Sequence, residues 1–195
     1  MYLPSLIGLV GKAGSGKDRF YYSVLAKYNY VRIAFGDPVK VLSVIHLLKS
    51  YPGILEKEDQ LLRVFPSLYI ELFSNQKTSL SRTLQQYIGT DLARRFDENY
   101  WIKIAEELIK EKLEKGIRVA VTDVRFLNEA ESIKKLGGIL IKIVGKGSYD
   151  YGNLEAKHQS ESELEKIVCD YTENEFTSLI KKHQILASEV EDTGQ

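Results

Sequence analysis

A glycine-rich stretch near the N-terminus has the residue types and spacing that bind phosphate. It follows a short apolar run and matches G-x-x-x-x-G-K. The glycines of this motif let backbone N–H groups turn inward around a phosphate, and its lysine reaches the β- and γ-phosphate oxygens. The alternative is an ordinary glycine-rich turn between a strand and a helix. The residues expected to bind phosphate are Gly11, Lys12, Ala13, Gly14, Ser15, Gly16 and Lys17.

The next residue departs from the motif, because Asp18 stands where a serine or threonine is usual. That hydroxyl normally binds magnesium. A carboxylate is also a suitable ligand, since Mg²⁺ prefers oxygen and keeps much of its water. We therefore expect Asp18 to contribute to a Mg²⁺ site. The alternative is that Asp18 only interacts favourably with the dipole of the helix that begins at Lys17.

A second group of reactive side chains follows the apolar run 117–122. Asp123 comes directly after this expected strand, where a carboxylate orders Mg²⁺ and its water beside a triphosphate. The alternative role for Asp123 is a solvent-facing helix cap. Arg125 has a planar guanidinium that suits bidentate contact with phosphate and stabilisation of charge during transfer. Lys17, Arg125 and Asp123 are therefore the candidate catalytic residues, with Asp18 and Asp123 as candidate metal ligands.

Apolar runs that alternate with helical patterns indicate the elements that position these residues. This alternation predicts an α/β fold with a parallel sheet and helices on both faces, in which ligands bind at the carboxyl ends of the strands. Strands are expected at 5–10, 30–35, 117–122, 139–144 and 169–171, and helices at 17–27, from 37, and at 81–88, 92–96, 98–115, 127–136, 161–168 and 174–186. Residues 51–79 are expected to form short helices and loops, and 145–159 a mobile loop.

Capping residues mark several helix starts. Asp37 before Pro38 is expected to be an N-cap, and Asp97 is expected to cap the helix 98–115. Serine or threonine followed three residues later by glutamate forms a capping box, as at Ser160 and Thr172. The apolar face predicted for the helix 98–115 consists of Trp101, Ile104, Ala105, Leu108 and Leu113.

The composition excludes several classes of protein. The 195 residues include 27 Lys and Arg and 27 Asp and Glu, so the basic excess typical of proteins that bind long nucleic acid is missing. The single cysteine, Cys169, excludes an intramolecular disulfide and a cysteine-rich zinc site. No run approaches the ~20 apolar residues of a membrane span. We expect one domain, 1–187, with an acidic tail, 188–195, in the cytoplasm of a bacterium or a phage-infected host.

Five segments together resemble one known family. They are GKAGSGKD at 11–18, FGDPVK at 35–40, YIGTD at 87–91, TDVRFLNE at 122–129 and HQSE at 158–161. In this order they are similar to the phage-type deoxynucleoside monophosphate kinases of the P-loop NMP-kinase superfamily, over roughly residues 5–185. The aspartate after the phosphate-loop lysine fits that family.

The resemblance implies a fold and a reaction. The fold would be a three-layer P-loop kinase with a five-stranded parallel sheet, a helical acceptor-binding region at about 38–101 and a lid at about 145–159. The reaction would transfer the γ-phosphoryl group of ATP to a deoxynucleoside monophosphate with Mg²⁺, giving the diphosphate. No arginine follows Arg125, so Lys146 and Lys157 are the cationic candidates in the lid. A homodimer is compatible with this resemblance.

The resemblance also assigns candidate substrate contacts, each with a plainer alternative. Arg82 and Arg94 would clamp the acceptor phosphate or form surface salt bridges, and Trp101 would stack on a base or pack in the core. Asn174 follows the last expected strand, where related kinases approach the adenine of ATP. The candidate acceptor-binding residues are Asp37, Lys40, Arg82, Gln86, Arg94, Trp101 and His158.

Two rival functions share the phosphate loop. One is another small-molecule P-loop kinase, of the phosphomevalonate or dephospho-coenzyme A kinase type, with a different acceptor. The other is a non-catalytic module that binds ATP for assembly or regulation, which the lack of arginine in the lid region favours.

Overall fold

The computed structural model describes residues 3–12, 14–41, 43, 97–145 and 163–192. The chain divides into a larger unit, Met1–Ala34 with Ala105–Gln195, and a smaller unit, Phe35–Ile104. The helices and loops expected at 51–79, 81–88 and 92–96 lie outside the described residues.

Five parallel strands form the sheet of the larger unit, in the spatial order β2-β3-β1-β4-β5. All residues of β1 are buried, as expected for a central strand that is covered on both faces. The predicted parallel sheet is therefore confirmed. Its strands are β1 (Leu6–Val10), β2 (Tyr30–Ile33), β3 (Arg118–Val124), β4 (Ile139–Lys142) and β5 (Tyr171–Thr172).

The helices are α1 (Lys17–Ser23), α2 (Tyr100–Glu114), α3 (Leu127–Lys135) and α4 (Glu173–Asp192), with a 3₁₀ helix at Leu25–Tyr28. Both faces of the sheet carry helices. Phe20 of α1 and Phe176 of α4 share a core cluster with Leu9 on one face. On the other face, a Cβ placed at Gly8 would lie 3.4 Å from the side chain of Ile133 on α3. The expected three-layer arrangement is confirmed.

The buried face of α2 differs from the predicted one. Ala105 and Ile109 are buried, whereas the side chain of Leu108 is 43% exposed. Trp101, Ala105 and Ile109 follow one another at four-residue intervals, and such a row stays on one side of a helix. The prediction that Leu108 belongs to the buried face is therefore wrong.

Several other helix boundaries also differ. The helix expected at 98–115 begins at Tyr100, and the one expected at 161–168 ends at residue 164. α1 ends at Ser23 instead of residue 27. The 3₁₀ helix that follows ends at Tyr28, and the next residue, Asn29, turns the chain into β2 with a φ of 61°. Helical backbone begins at residue 36, so Asp37 lies inside the first turn and the N-cap prediction for it is wrong.

The start of α4 agrees with the sequence. Thr172 and Glu175 form the predicted capping box, in which Glu175 Oε2 accepts the Thr172 N–H at 2.7 Å. α4 continues to Asp192, through part of the segment expected to be a tail. None of the described helices is both long enough and apolar enough to span a membrane.

Asp170 joins β4, β5 and α3. Its Oδ2 accepts the Leu140 N–H at 2.7 Å, and the Lys134 ammonium donates to both of its carboxylate oxygens. Burial alone would raise the pKa of Asp170, but these hydrogen bonds bring it below its ordinary value. The charged carboxylate therefore stabilises the short edge strand.

Asp170→Ala should lower the free energy of unfolding by about 1 kcal/mol at neutral pH, because a charged acceptor at a partly exposed site is lost. The pKa of Asp170 is lower in the folded state, so this stabilisation is present above the unfolded pKa and disappears as pH falls through the folded value. Urea unfolding at pH 7 and at about pH 3 measures the change. Asp170→Asn keeps an acceptor without the charge, so its free energy of unfolding at pH 7 should lie between those of the wild type and Asp170→Ala. Equal destabilisation at both pH values would contradict the assignment.

Candidate functional site

The phosphate loop lies between the end of β1 and the start of α1. Gly14 and Gly16 have φ values of 75° and 93°, which residues with a side chain rarely adopt. The Ser15 N–H donates to the Lys12 carbonyl at 3.1 Å, so the loop folds back on itself before α1 begins. The spacing of the two glycines is thus what the backbone path requires. Ala13 lies outside the described residues.

Lys17 is buried at the base of this loop, with 7% of its surface exposed. Its ammonium donates to the carbonyl of Gly11 at 2.5 Å and to the carbonyl of Lys12 at 2.8 Å. A buried cation is stable only when it is paired or hydrogen-bonded, and these carbonyls supply that need. The arrangement keeps a positive charge inside the loop, where an anion would be bound.

The segment that follows β4 packs tightly on the phosphate loop. A Cβ at Gly145 would lie 2.2 Å from the carbonyl oxygen of Ser15, and a Cβ at Gly11 would lie 2.6 Å from Ser15 Oγ. Both positions therefore require glycine because of close approach. The chain sequence identified Gly145 only as the start of the expected lid, whose residues 146–159 lie outside the described part.

A weaker contact joins the loop to the segment before β5. Lys12 Nζ lies 3.5 Å from Glu165 Oε1, with half of the lysine side chain and 73% of the glutamate side chain exposed. Exposed pairs of this kind contribute little to stability. Lys12 is thus positioned at the outer side of the loop.

Asp18 lies in the first turn of α1 and is paired with an arginine that the sequence analysis did not select. Its Oδ1 is 3.9 Å from Nε of Arg32 on β2, and 59% of its side chain is exposed. Arg32 offsets the negative charge that Asp18 places next to the loop. Only the folding of β2 beside β3 reveals this pair, because no local pattern links positions 18 and 32.

Asp123 lies inside β3 and not after it, so the predicted end of this strand is wrong by two residues. Gly8 of β1 pairs with Val121, but Val10 pairs with Val124. β3 therefore contains one residue more than β1 across this stretch. The extra residue is a bulge, a feature that often lies next to functional sites and redirects side chains.

The bulge places Thr122 and Asp123 together opposite Leu9, whose side chain faces α1 and α4. The Val124 side chain is on the other face, 3.2 Å from a Cβ placed at Gly8. Thr122 and Asp123 therefore both lie on the face that carries α1. Asp123 is half-buried and Thr122 is 2% exposed.

The turn that carries Arg125 is held by two carboxylates. Glu129 Oε2 accepts the N–H of Arg125 at 2.8 Å and that of Phe126 at 3.1 Å, and Glu163 Oε2 accepts the N–H of Leu127 at 3.2 Å. Glu129 is only 3% exposed. Arg125 is half-buried, directly before α3. Glu129 was detectable, since a glutamate at the third helical position commonly accepts the N-cap N–H; Glu163 was not.

These groups fit a magnesium–phosphate site. Among the described residues, Ser15 Oγ and Thr122 Oγ1 are buried and have no hydrogen-bond partner. The carboxylates of Asp18 and Asp123 lie beside the loop and in the bulge. Within the part of the chain that the structure describes, no three His, Cys, Asp or Glu side chains form a metal cluster. Mg²⁺ in phosphate sites uses one or two carboxylates and completes its shell with phosphate and water.

The remaining candidates are placed separately. Asn174 is exposed at the start of α4, where it lines an open groove with Glu175 and Lys182. In the smaller unit, the Lys40 ammonium donates to Asp37 Oδ1 at 2.9 Å, and Trp101 packs on Val39 with 2% of its surface exposed. The structure thus favours packing for Trp101. The other candidates lie outside the described residues: Arg82, Gln86, Arg94, Lys146, Lys157 and His158.

Glu129→Ala should lower the free energy of unfolding by about 2 kcal/mol, because one buried and one partly buried N–H group lose a charged acceptor. Hydrogen exchange at Arg125 and Phe126 should accelerate more than exchange in β1. Glu131→Ala is the matched control, since Glu131 is exposed on the same helix. Unchanged exchange at the Arg125 turn in Glu129→Ala would show that the carboxylate does not hold it.

Gly145→Ala should weaken the binding of ADP, because the added Cβ collides with the Ser15 carbonyl and displaces the phosphate loop. Titration calorimetry with ADP measures the effect. Val144→Ala is the control at the neighbouring residue, whose side chain is 62% exposed. Equal affinity in the two variants would mean that the loop tolerates the displacement.

Comparison with known proteins identifies the family to which the chain is similar. Residues 48–175 match the family model described as deoxynucleotide monophosphate kinase, a range that includes Asp123 and Arg125 but begins after the phosphate loop. A protein of Acanthamoeba polyphaga mimivirus, named "Putative deoxynucleotide monophosphate kinase", is 30% identical over 172 residues, which cover 83% of each chain. "Uncharacterized protein ORF77" of Ictalurid herpesvirus 1 (strain Auburn) is 33% identical over 86 residues, covering 44% of this chain and 37% of its own.

The family match lies on residues that do not include the phosphate loop, so it does not depend on that motif. The mimivirus relative extends the likeness over most of the chain. The resemblance identified from the sequence is thereby confirmed, and the chain belongs to the deoxynucleotide monophosphate kinase family.

Proposed function

We propose that the protein transfers the γ-phosphoryl group of ATP to a deoxynucleoside monophosphate, giving ADP and the deoxynucleoside diphosphate. The observation that carries the proposal is the buried Lys17 ammonium inside a phosphate loop at the carboxyl end of β1. The bulge with Asp123 lies near the end of the neighbouring strand β3 and the turn with Arg125 follows that strand, and parallel strands end at the same edge of a sheet.

The phosphate loop binds and orients the donor. Its backbone N–H groups face the β- and γ-phosphates, and Lys17 exchanges a loop carbonyl for a phosphate oxygen when the nucleotide binds. Asn174, at the same edge of the sheet, is the candidate contact to the adenine. Positioning of this kind supplies a large part of the rate enhancement in phosphoryl transfer.

Asp18 and Asp123 are the residues that would hold Mg²⁺. The ion neutralises charge on the phosphates when it is bound. Asp123 is fixed by the β3 bulge, whereas Asp18 is exposed and paired with Arg32. Asp123 is therefore the more rigid of the two ligands.

Arg125 stabilises the charge that develops on the transferred group. Its backbone is fixed by Glu129, so the guanidinium starts from a defined position at the edge of the sheet. An oxygen of the acceptor phosphate attacks the γ-phosphorus in line with the leaving ADP oxygen, and no covalent enzyme intermediate or general base is required. Electrostatic preorganisation of this kind is commonly the largest contribution to catalysis.

The acceptor would be bound by residues that the family match spans. Arg82 and Arg94 would clamp its phosphate, with Gln86 and His158 as further polar contacts. Asp37 and Lys40 form an ion pair in the smaller unit, so both are held by each other before any acceptor arrives.

Incubation with Mg-ATP and each of the four deoxynucleoside monophosphates, followed by ion-exchange separation, tests the proposal. The wild type should form at least one diphosphate, and Lys17→Ala should lose about 10²-fold or more in rate, because the cation that contacts the transferred phosphate is removed. Lys27→Ala is the matched control, since Lys27 is exposed on the 3₁₀ helix.

Two outcomes would contradict the proposal. Binding of ATP without diphosphate from any of the four acceptors would favour a non-catalytic module. Transfer to phosphomevalonate or dephospho-coenzyme A instead would identify a different small-molecule kinase on the same phosphate loop.

A further inference from the structure

Thr122 is buried in a way that its own fold does not explain. Only 2% of the residue is exposed, and Oγ1 has no hydrogen-bond partner among the residues that the structure describes. A buried hydroxyl without a partner destabilises a protein, whereas valine has nearly the same shape and no such penalty. A buried hydroxyl without a protein partner is a position where an ordered water or a ligand binds.

The position of Thr122 indicates where that partner would come from. Thr122 and Asp123 share the bulge opposite Leu9, two residues before the phosphate loop begins at Gly11. Their side chains lie on the face of α1, where Ala120 already packs in one cluster with Phe20. Residues further along β3 lie under earlier residues of α1, since the helix runs back along the sheet. The hydroxyl is thus directed toward the first turn of α1 and the phosphate loop.

The phosphate loop also lacks a hydroxyl of its own at one position. Asp18 stands where the motif has the serine or threonine that binds magnesium. Asp18 is largely exposed and paired with Arg32. The hydroxyl of Thr122, on the neighbouring strand β3, would supply a hydroxyl on the inner side of the site in place of the missing one.

We propose that the Thr122 hydroxyl is a nucleotide-binding group, which hydrogen-bonds an oxygen of the bound magnesium–nucleoside polyphosphate: either a phosphate oxygen or a water held by the metal. The proposal rests on nucleotide binding by the loop, as in the proposed function, but not on the identity of the acceptor. Thr122 Oγ1 is closed to solvent, so the loop must move for the contact to form. Lys17 links the two events, because the ammonium that the Gly11 and Lys12 carbonyls accept from would also donate to a phosphate of the bound nucleotide.

Thr122→Val distinguishes the effect of the hydroxyl on stability from its effect on ligand binding. The substitution should make the free protein more stable and its binding of nucleotide weaker. Without nucleotide, the melting temperature should rise by about 2–4 °C, because the unpartnered hydroxyl is gone. The Kd for Mg-ADP should rise about tenfold, because one hydrogen bond to the ligand is lost. Differential scanning calorimetry and titration calorimetry on the full chain measure the two quantities.

Two further variants serve as controls. Thr122→Ser keeps the hydroxyl but loses the methyl group, so it should melt lower and bind Mg-ADP like the wild type. Thr177 Oγ1 already donates to the Glu173 carbonyl at 2.7 Å, so Thr177→Val should not raise the melting temperature and should leave ADP binding unchanged. Titration of ADP with EDTA in place of Mg²⁺ distinguishes the ligand atom. A loss in both conditions assigns a phosphate oxygen, and a loss only with Mg²⁺ assigns a metal-held water.

Unchanged ADP affinity of Thr122→Val in both conditions would overturn the proposal, and so would a lower melting temperature, which would reveal a partner within the protein. Its failure is distinguishable from failure of the proposed function. A wild type that binds ADP through Thr122 but forms no diphosphate would refute the kinase and leave the nucleotide contact standing. A wild type that does not bind ADP would refute both.

Discussion

The buried ammonium of Lys17 is the charge on which the candidate site depends. A cation with so little exposure needs several acceptors, and the carbonyls of Gly11 and Lys12 provide them only because Gly14 and Gly16 let the backbone reverse. The close approach of Gly145 to Ser15 then fixes this reversed loop against the chain that leaves β4. The path of the loop thus provides the acceptors that the buried Lys17 ammonium needs, and the loop is anchored on the rigid sheet.

The parallel sheet determines what surrounds that charge. β1 lies between β3 and β4, so the segments that follow all three strands meet at one edge. Each brings a different kind of group: amides and a lysine after β1, a hydroxyl and a carboxylate in the bulge near the end of β3, and a glycine after β4. Helices on both faces keep the strands buried and the edge open. The chemistry at this edge therefore follows from strand order as much as from any single motif.

Features with a local cause could be predicted from the sequence. The glycine turn between β1 and α1 and the Thr172–Glu175 capping box depend on residues a few positions apart, and the structure contains both. The bulge at Thr122–Asp123 depends on the register between β1 and β3, and the Asp18–Arg32 pair depends on which strands are neighbours. Neither leaves a pattern in the chain. On α2, Ile109 is buried and Leu108 is not. Where two adjacent residues are both apolar, the sequence pattern does not determine which of them lies on the buried face of the helix.

The carboxylates that hold the Arg125 turn have a consequence for ligand selectivity. The first amides of α3 point at the same edge of the sheet as the phosphate loop, and free helix amides attract anions. Glu129 and Glu163 already accept the amides of Arg125, Phe126 and Leu127, where the turn leads into α3. A polyphosphate that approaches this edge therefore meets a receptive turn after β1 and a self-neutralised one after β3. Of the two turns at this edge, the protein thus fills one with its own carboxylates and leaves the other for an anion from outside.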